Sequence, residues 1–130
     1  MVNHVHHIGC LVSSIEESII DYKLLYPTGE VSEIYYIQSQ KVRVCFFSLC
    51  NTKIEFVEPA DPNSPLIKMI NKNINYYHIG LLTNDINGEI ERLEQCGYRL
   101  LNLFRSEAFN GNHCAFLYNN NLHMIELIEI

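Results

Sequence analysis

Positive charge is scarce in this 130-residue chain: nine Lys and Arg stand against fifteen Asp and Glu, for a formal net charge of −6. The basic residues are scattered without a run, which excludes a nucleic-acid or anionic-membrane surface. No apolar stretch approaches the roughly 18 residues of a membrane-spanning helix, and the opening MVNHVHH lacks the pattern of a signal peptide. Cysteine occurs without a C-x-x-C pair: Cys10, Cys45, Cys50, Cys96 and Cys114 are odd in number, and most sit in apolar, strand-like runs. They read as reduced thiols, not as a disulfide framework or thiolate metal site. What remains is 48% hydrophobic and 18% charged, the composition of a folded protein at the length of one domain. A soluble, cytoplasmic protein with small-molecule partners is expected.

The sequence is organised around one offset. His7 in VHHIGCLV is followed 71 residues later by His78 in YYHIGLLT, and Glu55 in KIEFVEP is followed 71 residues later by Glu126 in MIELIEI. Each histidine therefore precedes its glutamate by 48 residues, with no gap. Ile8, Gly9, Leu11, Ile15, Ile19, Ile54 and Glu58 recur at the same offset as Ile79, Gly80, Leu82, Ile86, Ile90, Ile125 and Glu129. The chain is an internal duplication. Two halves related by a pseudo-two-fold would bring two imidazole nitrogens and two carboxylate oxygens to one point.

Local patterns predict the same order of elements in each half. Residues 3–12 alternate as a strand, with His7, Gly9 and Leu11 on one face and Ile8, Cys10 and Val12 on the other. Ser14 with Glu17 forms a capping box, and Ile15, Ile19 and Tyr22 give the stripe of a helix closed by Pro27 and Gly29. Strands are expected over 30–37, 42–49 and 53–57, the last two joined by a tight turn at Cys50-Asn51-Thr52. Residues 61–74 form a linker, in which Ser64-Pro65 opens a short helix. The second half repeats the scheme: a strand over 76–82, a helix capped by Asp85 with stripe Ile86, Ile90 and Leu93, a stop at Gly97, and strands over 98–104, 114–118 and 122–128. The fold class is α+β, with two tandem βαβββ modules, about 1–60 and 75–130, whose mixed sheets curl around a metal cavity within one domain spanning 1–130.

Other candidates carry less. His4 and His6 have the wrong parity to share a face with His7, and His123 has the wrong parity for Glu126. Glu58 and Glu129 are likewise opposite in parity to the glutamates of the repeat and read as solvated strand ends. Glu107 reads as a surface carboxylate. His113, in the FNGNHCAF stretch, is placed to reach the pocket or to lie outside it. Arg43, Arg99 and Arg105 are candidate handles for an anionic substrate group.

HHIG with the helix after it, NTKIEFVEP, DPNSPL, YHIG and HMIELIE resemble the vicinal oxygen chelate superfamily over residues 3–130, most closely its glyoxalase-I-like and methylmalonyl-CoA epimerase branches. That resemblance implies a ligand set of His7, Glu55, His78 and Glu126 around one divalent ion. Neutral imidazole and carboxylate suit Zn²⁺, Ni²⁺, Co²⁺ or Mn²⁺, and two carboxylates balance the ion's charge. Such an ion acidifies the C–H beside a bound carbonyl and stabilises the enediolate formed. Glu126, or Glu55, is then the base.

The main reading is a lactoylglutathione lyase-like (glyoxalase I) enzyme. The alternative is a methylmalonyl-CoA epimerase-like isomerase, and the substrate a thiohemiacetal or an acyl thioester. The resemblance to epimerases implies a further glutamate before the third strand of the first half, where this chain has Gln38, Ser39 and Gln40. An extradiol-type dioxygenase competes, but Glu55 as fourth ligand blocks a position that oxygen needs. A non-catalytic, bleomycin-resistance-like binding protein lacks these ligands. The resemblance also implies a homodimer.

Overall fold

The computed structural model describes residues 2–130, with side chains described from residue 4 onward. The chain forms two compact units, His7–Tyr77 and His78–Ile130, and residues 2–6 belong with the second. Each unit is a mixed sheet with a helix packed on one face.

In the first unit, β1 (Val2–Leu11) leads to α1 (Ile15–Leu25), then to β2 (Glu30–Val31), β3 (Tyr35–Ile37), β4 (Val42–Leu49) and β5 (Thr52–Pro59). β1 pairs parallel with β5, from Ile8 opposite Ile54 to Leu11 opposite Val57. β4 pairs antiparallel with β5, and β2 and β3 both pair antiparallel with β4. The strand expected over 30–37 is thus two strands. Its break has a local cause: Ser32 Oγ accepts the Phe46 N–H at 2.9 Å, so a hydroxyl takes a ladder position that a backbone carbonyl would hold. Ser14 caps α1 as expected, accepting the Glu17 N–H at 3.1 Å. Ile15, Ile19 and Tyr22 then pack on Cys10, Cys45, Phe47, Ile54 and Phe56. Gly29 is required by close approach, since a Cβ there would lie 2.3 Å from the Phe47 ring.

The linker holds α2 (Pro65–Asn71), capped by Ser64 and burying none of its residues. At its end, Asn75 accepts the Leu11 N–H through its carbonyl and donates from Nδ2 to the Leu11 carbonyl.

The second unit runs β6 (Tyr76–Thr83), α3 (Ile86–Gln95), β7 (Arg99–Ser106), a 3-10 turn at Glu107–Phe109, β8 (Asn112–Tyr118) and β9 (Met124–Glu129). β6 and β9 are parallel; β9 with β8 and β8 with β7 are antiparallel. Ile86, Ile90 and Leu93 pack on Ala115, Leu117, Ile125 and Leu127. α3 ends as the glycine predicts: Gly97 has φ +92°, its N–H bonds the Glu94 carbonyl, and the Tyr98 N–H reaches back to Leu93.

The last hairpin differs from expectation. Asn119 Oδ1 accepts both the Asn121 and His123 N–H groups, and Leu122 sits at φ +61° in the turn, so β9 begins only at Met124. The duplication also contains a slip. Phe46 lies opposite Glu55, whereas the residue opposite Glu126 is Phe116, an offset of 70 and not 71. A residue lost before β8 is regained in the longer final turn, which is why His and Glu keep their spacing.

Candidate metal centre

Strand parity and register assemble the same pair in each unit. In the first, Gly9 of β1 lies opposite Glu55 of β5. His7, two residues before Gly9 on the same face, turns its imidazole toward the carboxylate. His7 Nε2 lies 3.4 Å from Glu55 Oε1. In the second, Gly80 lies opposite Glu126, and His78 Nε2 is again 3.4 Å from Glu126 Oε1. All four side chains are buried, His7 and His78 at 0% and 1% exposure and both glutamates at 4%.

A phenylalanine orients each imidazole. The Phe46 ring meets His7 edge-on at 5.5 Å and 62°, and the Phe116 ring meets His78 at 5.2 Å and 71°. Phe104 stacks on Phe116 at 5.4 Å. Sequence reasoning missed these two positions, although each phenylalanine faces the glutamate of its pair across the ladder.

The spacing fits a metal better than a hydrogen bond. A well-made N–H···O bond is about 2.9 Å. Two atoms each about 2.1 Å from one ion and roughly 100° apart lie about 3.2 Å from one another. A buried carboxylate is costly unless a cation or donors meet it. Each pair offers one nitrogen and one oxygen to a divalent ion, with one ligand atom per residue. Burial, with the Glu55 carboxylate second, pushes the Cys10 thiol up, so this neighbour stays protonated. Among the described residues no cysteine is in a disulfide, and Cys10, Cys45 and Cys114 are buried.

The remaining candidates lie apart from these pairs. His4 is exposed. His6 packs edge-on to Phe109 at 5.1 Å. His123 sits in the last turn. His113 has the opposite parity to Phe116 on β8 and instead faces Glu129, with Nδ1 3.7 Å from Oε1. Arg43 is engaged by Glu16 at 2.7 Å and Glu58 at 2.8 Å, which removes it as a free substrate handle. Arg105 donates to the Gly111 carbonyl at 2.9 Å, and Arg99 and Glu107 are exposed.

Glu58 and Glu129 are not solvated strand ends. Glu58 accepts the Ile15 N–H at 2.9 Å and Glu129 the Ile86 N–H at 3.0 Å, each at the first residue of a helix. The unpaired N–H groups and positive dipole end of a helix call for such an acceptor. Both glutamates recur at the repeat offset, three residues beyond a glutamate of the pairs; that was the available signal.

These pairs, on parallel strands of two βαβββ units, define the class. Residues 6–128 match the Glyoxalase/Bleomycin resistance protein/Dioxygenase superfamily, and the chain belongs to it. Among its relatives is the ethylmalonyl-CoA/methylmalonyl-CoA epimerase of Cereibacter sphaeroides, 29% identical over 135 residues that span 100% of both chains. The uncharacterized protein YqjC of Bacillus subtilis is 28% identical over 98% of this chain and 93% of its own. Among solved structures, a Streptomyces coelicolor methylmalonyl-CoA epimerase variant in complex with 2-nitronate-propionyl-CoA superposes with a TM-score of 0.85 at 21% identity, covering 99% of this chain and 95% of that one. No helix among the described residues is long and apolar enough to cross a membrane.

Proposed function

We propose that the chain is a metal-dependent epimerase of the acyl-CoA class, inverting the carbon between a thioester carbonyl and a carboxylate. The supporting observation is the duplicated, buried His–Glu pair, in a chain whose full-length relatives include enzymes named as epimerases of ethylmalonyl-CoA and methylmalonyl-CoA. In this reading His7, Glu55, His78 and Glu126 together hold one divalent ion, of the Zn²⁺, Ni²⁺, Co²⁺ or Mn²⁺ kind. When bound, the ion offsets the negative charge that develops on the carbonyl oxygen as the neighbouring C–H ionises.

The chain's own residues move the proton. Glu126 takes it from the carbon, and Glu55, protonated at the outset, gives one to the opposite face of that carbon; exchange with solvent then returns a proton to Glu55 and removes one from Glu126, so no atoms are gained or lost. By register, the sheet face that carries the first pair also holds Glu30, opposite Ser48 on β4 and exposed, two strands away from Glu55. Phe46, Phe116 and Phe104 exclude water around the reacting carbon, and Phe46 and Phe116 hold the imidazoles at fixed angles. The homodimer implied by the resemblance belongs to the same proposal.

One observation favours a glyoxalase-I-type reaction as the second reading. The turn Gln38-Ser39-Gln40 before β4 lacks the glutamate that the resemblance to epimerases implies. The test is incubation of the metal-loaded protein with one epimer of methylmalonyl-CoA, and of ethylmalonyl-CoA, in D₂O. Deuterium at the carbon between the two carbonyls and appearance of the other epimer are expected. Turnover of the methylglyoxal–glutathione thiohemiacetal, with no exchange in either malonyl thioester, would replace this reading by the second.

A further inference from the structure

On the sheet face that carries the His78–Glu126 pair, register lays out one row: Gly80 on β6, Glu126 on β9, Phe116 on β8 and Asn102 on β7. Asn102 owes its place to a β-bulge. Leu100 lies opposite Leu117 and Asn102 opposite Phe116, so Leu101 is passed over in the ladder. Without the bulge the apolar Leu101 would face Phe116; with it, an amide does. Phe104 shares this face and stacks on Phe116. The Asn102 side chain is half-buried, and its Oδ1 is covered without a hydrogen-bond partner. A covered acceptor with no donor destabilises the fold, and a ligand that brings an N–H or O–H removes that cost.

The first unit holds the counterpart of Asn102 and shows what a structural group does at that position. At the offset of 70 that relates Phe46 to Phe116, Asn102 corresponds to Ser32. Ser32 Oγ accepts the Phe46 N–H at 2.9 Å and donates to the Glu33 carbonyl at 2.7 Å, so its bonds stay within the unit's own backbone. Asn102 makes no such use of its oxygen. One half of the duplication commits this polar side chain to the backbone, and the other leaves it open.

We propose that Asn102 binds the thiol carrier of the substrate, its Oδ1 accepting the amide N–H that lies two carbons from the sulfur. This rests on the reading above, in which a thiol-carried carbonyl is activated at the His–Glu pairs. An acceptor calls for a donor, and a malonyl head group, with its ionised carboxylate and thioester carbonyl, has none. The carrier has one. In coenzyme A the sulfur is followed by two carbons and an amide nitrogen, four bonds or about 5 Å from the thioester carbonyl carbon. Asn102 stands two strands from Glu126, about 10 Å at ordinary strand spacing, so a carbonyl held at the pair brings that N–H toward the far end of the row. Rotation about χ2, broad and twofold for asparagine, turns Oδ1 to the incoming donor. Glutathione repeats the pattern, since its cysteinyl nitrogen is also two carbons from sulfur, so the recognised element is common to both thiols.

Two small thiols isolate the amide: N-acetylcysteamine, and 2-mercaptoethyl acetate, in which an ester oxygen replaces the N–H. The metal-loaded full chain is given the methylmalonyl thioesters of both, and the methylglyoxal hemithioacetals of both. The readout is the ratio of kcat/KM for amide over ester, in which the active fraction of each preparation cancels. In whichever class turns over, the unmodified protein should prefer the amide about tenfold, the scale of one hydrogen bond. Asn102→Ala should bring the two thiols level, and Asn102→Asp, which keeps an acceptor oxygen, should retain the preference. Equal use of the two thiols by the unmodified protein, or a preference that survives in Asn102→Ala, would overturn the role of Asn102 and leave the functional reading in place. Turnover of the hemithioacetals alone, with the expected preference, would replace that reading and keep Asn102. No turnover in either class removes both.

Discussion

At the scale of residues, the equivalence of the two His–Glu pairs makes a quantitative demand. Both pairs have the same 3.4 Å separation and the same burial, so His7→Ala and His78→Ala should weaken metal binding by similar factors. Each factor should be at least the 10–100-fold typical of lost supporting contacts. Competition titration with a chromophoric chelator measures this, and His4→Ala serves as the neutral control. A large effect from one histidine alone would mean that the two halves do not serve one ion. The pairing of His7 with Glu55 and of His78 with Glu126 was legible because strand parity and one repeat offset converge on it. The helix-anchoring role of Glu58 and Glu129 was not: parity correctly put them on the other face, but that face meets a helix N-terminus rather than water. Nor was the one-residue slip at Phe116, because the gain and loss cancel before Glu126.

Among elements, caps and stops were legible because they depend on a few neighbouring atoms. Ser14 and Gly97 are the clear cases. Ser14→Ala should cost about 1 kcal/mol by removing the acceptor for the Glu17 N–H. Gly97→Ala should cost about 1 kcal/mol because φ +92° lies where a Cβ is strained, although open space surrounds it. Chemical denaturation reads both, with unchanged slope expected. The interruption between β2 and β3 lay beyond local reasoning. It arises from a hydroxyl competing for a partner on β4, fourteen residues away.

For the whole molecule, charge pairing and burial bracket a plateau of stability. Arg43 holds the Glu16 carboxyl below its ordinary 4.5, and Arg92 does the same for Glu89. Depressed carboxyls stabilise the fold above their unfolded values, and that contribution is lost as pH falls through the depressed ones. Burial raises the thiols of Cys10 and Cys45 above 9.0 and the Tyr22 phenol above 10.0. Their contribution declines as pH rises from those ordinary values through the raised ones. Melting temperature plotted against pH should therefore fall below about pH 4 and above about pH 9. Arg92→Ala should shift the acid limb upward. An acid limb unmoved by that change would show that Glu89 owes its ionisation to other partners.

The segment between Ala60 and Asn75 has a consequence for engineering. Ala60 is tied to the Lys41 carbonyl, Asn75 grips Leu11 by two hydrogen bonds, and nothing in residues 61–75 is buried. Both ends are moored while the stretch between them supports no core. Lengthening a surface loop costs only about 0.6 kcal/mol per doubling. Residues 61–72 are therefore the natural splice point for an affinity tag, a fluorescent reporter or a grafted loop, leaving both termini free.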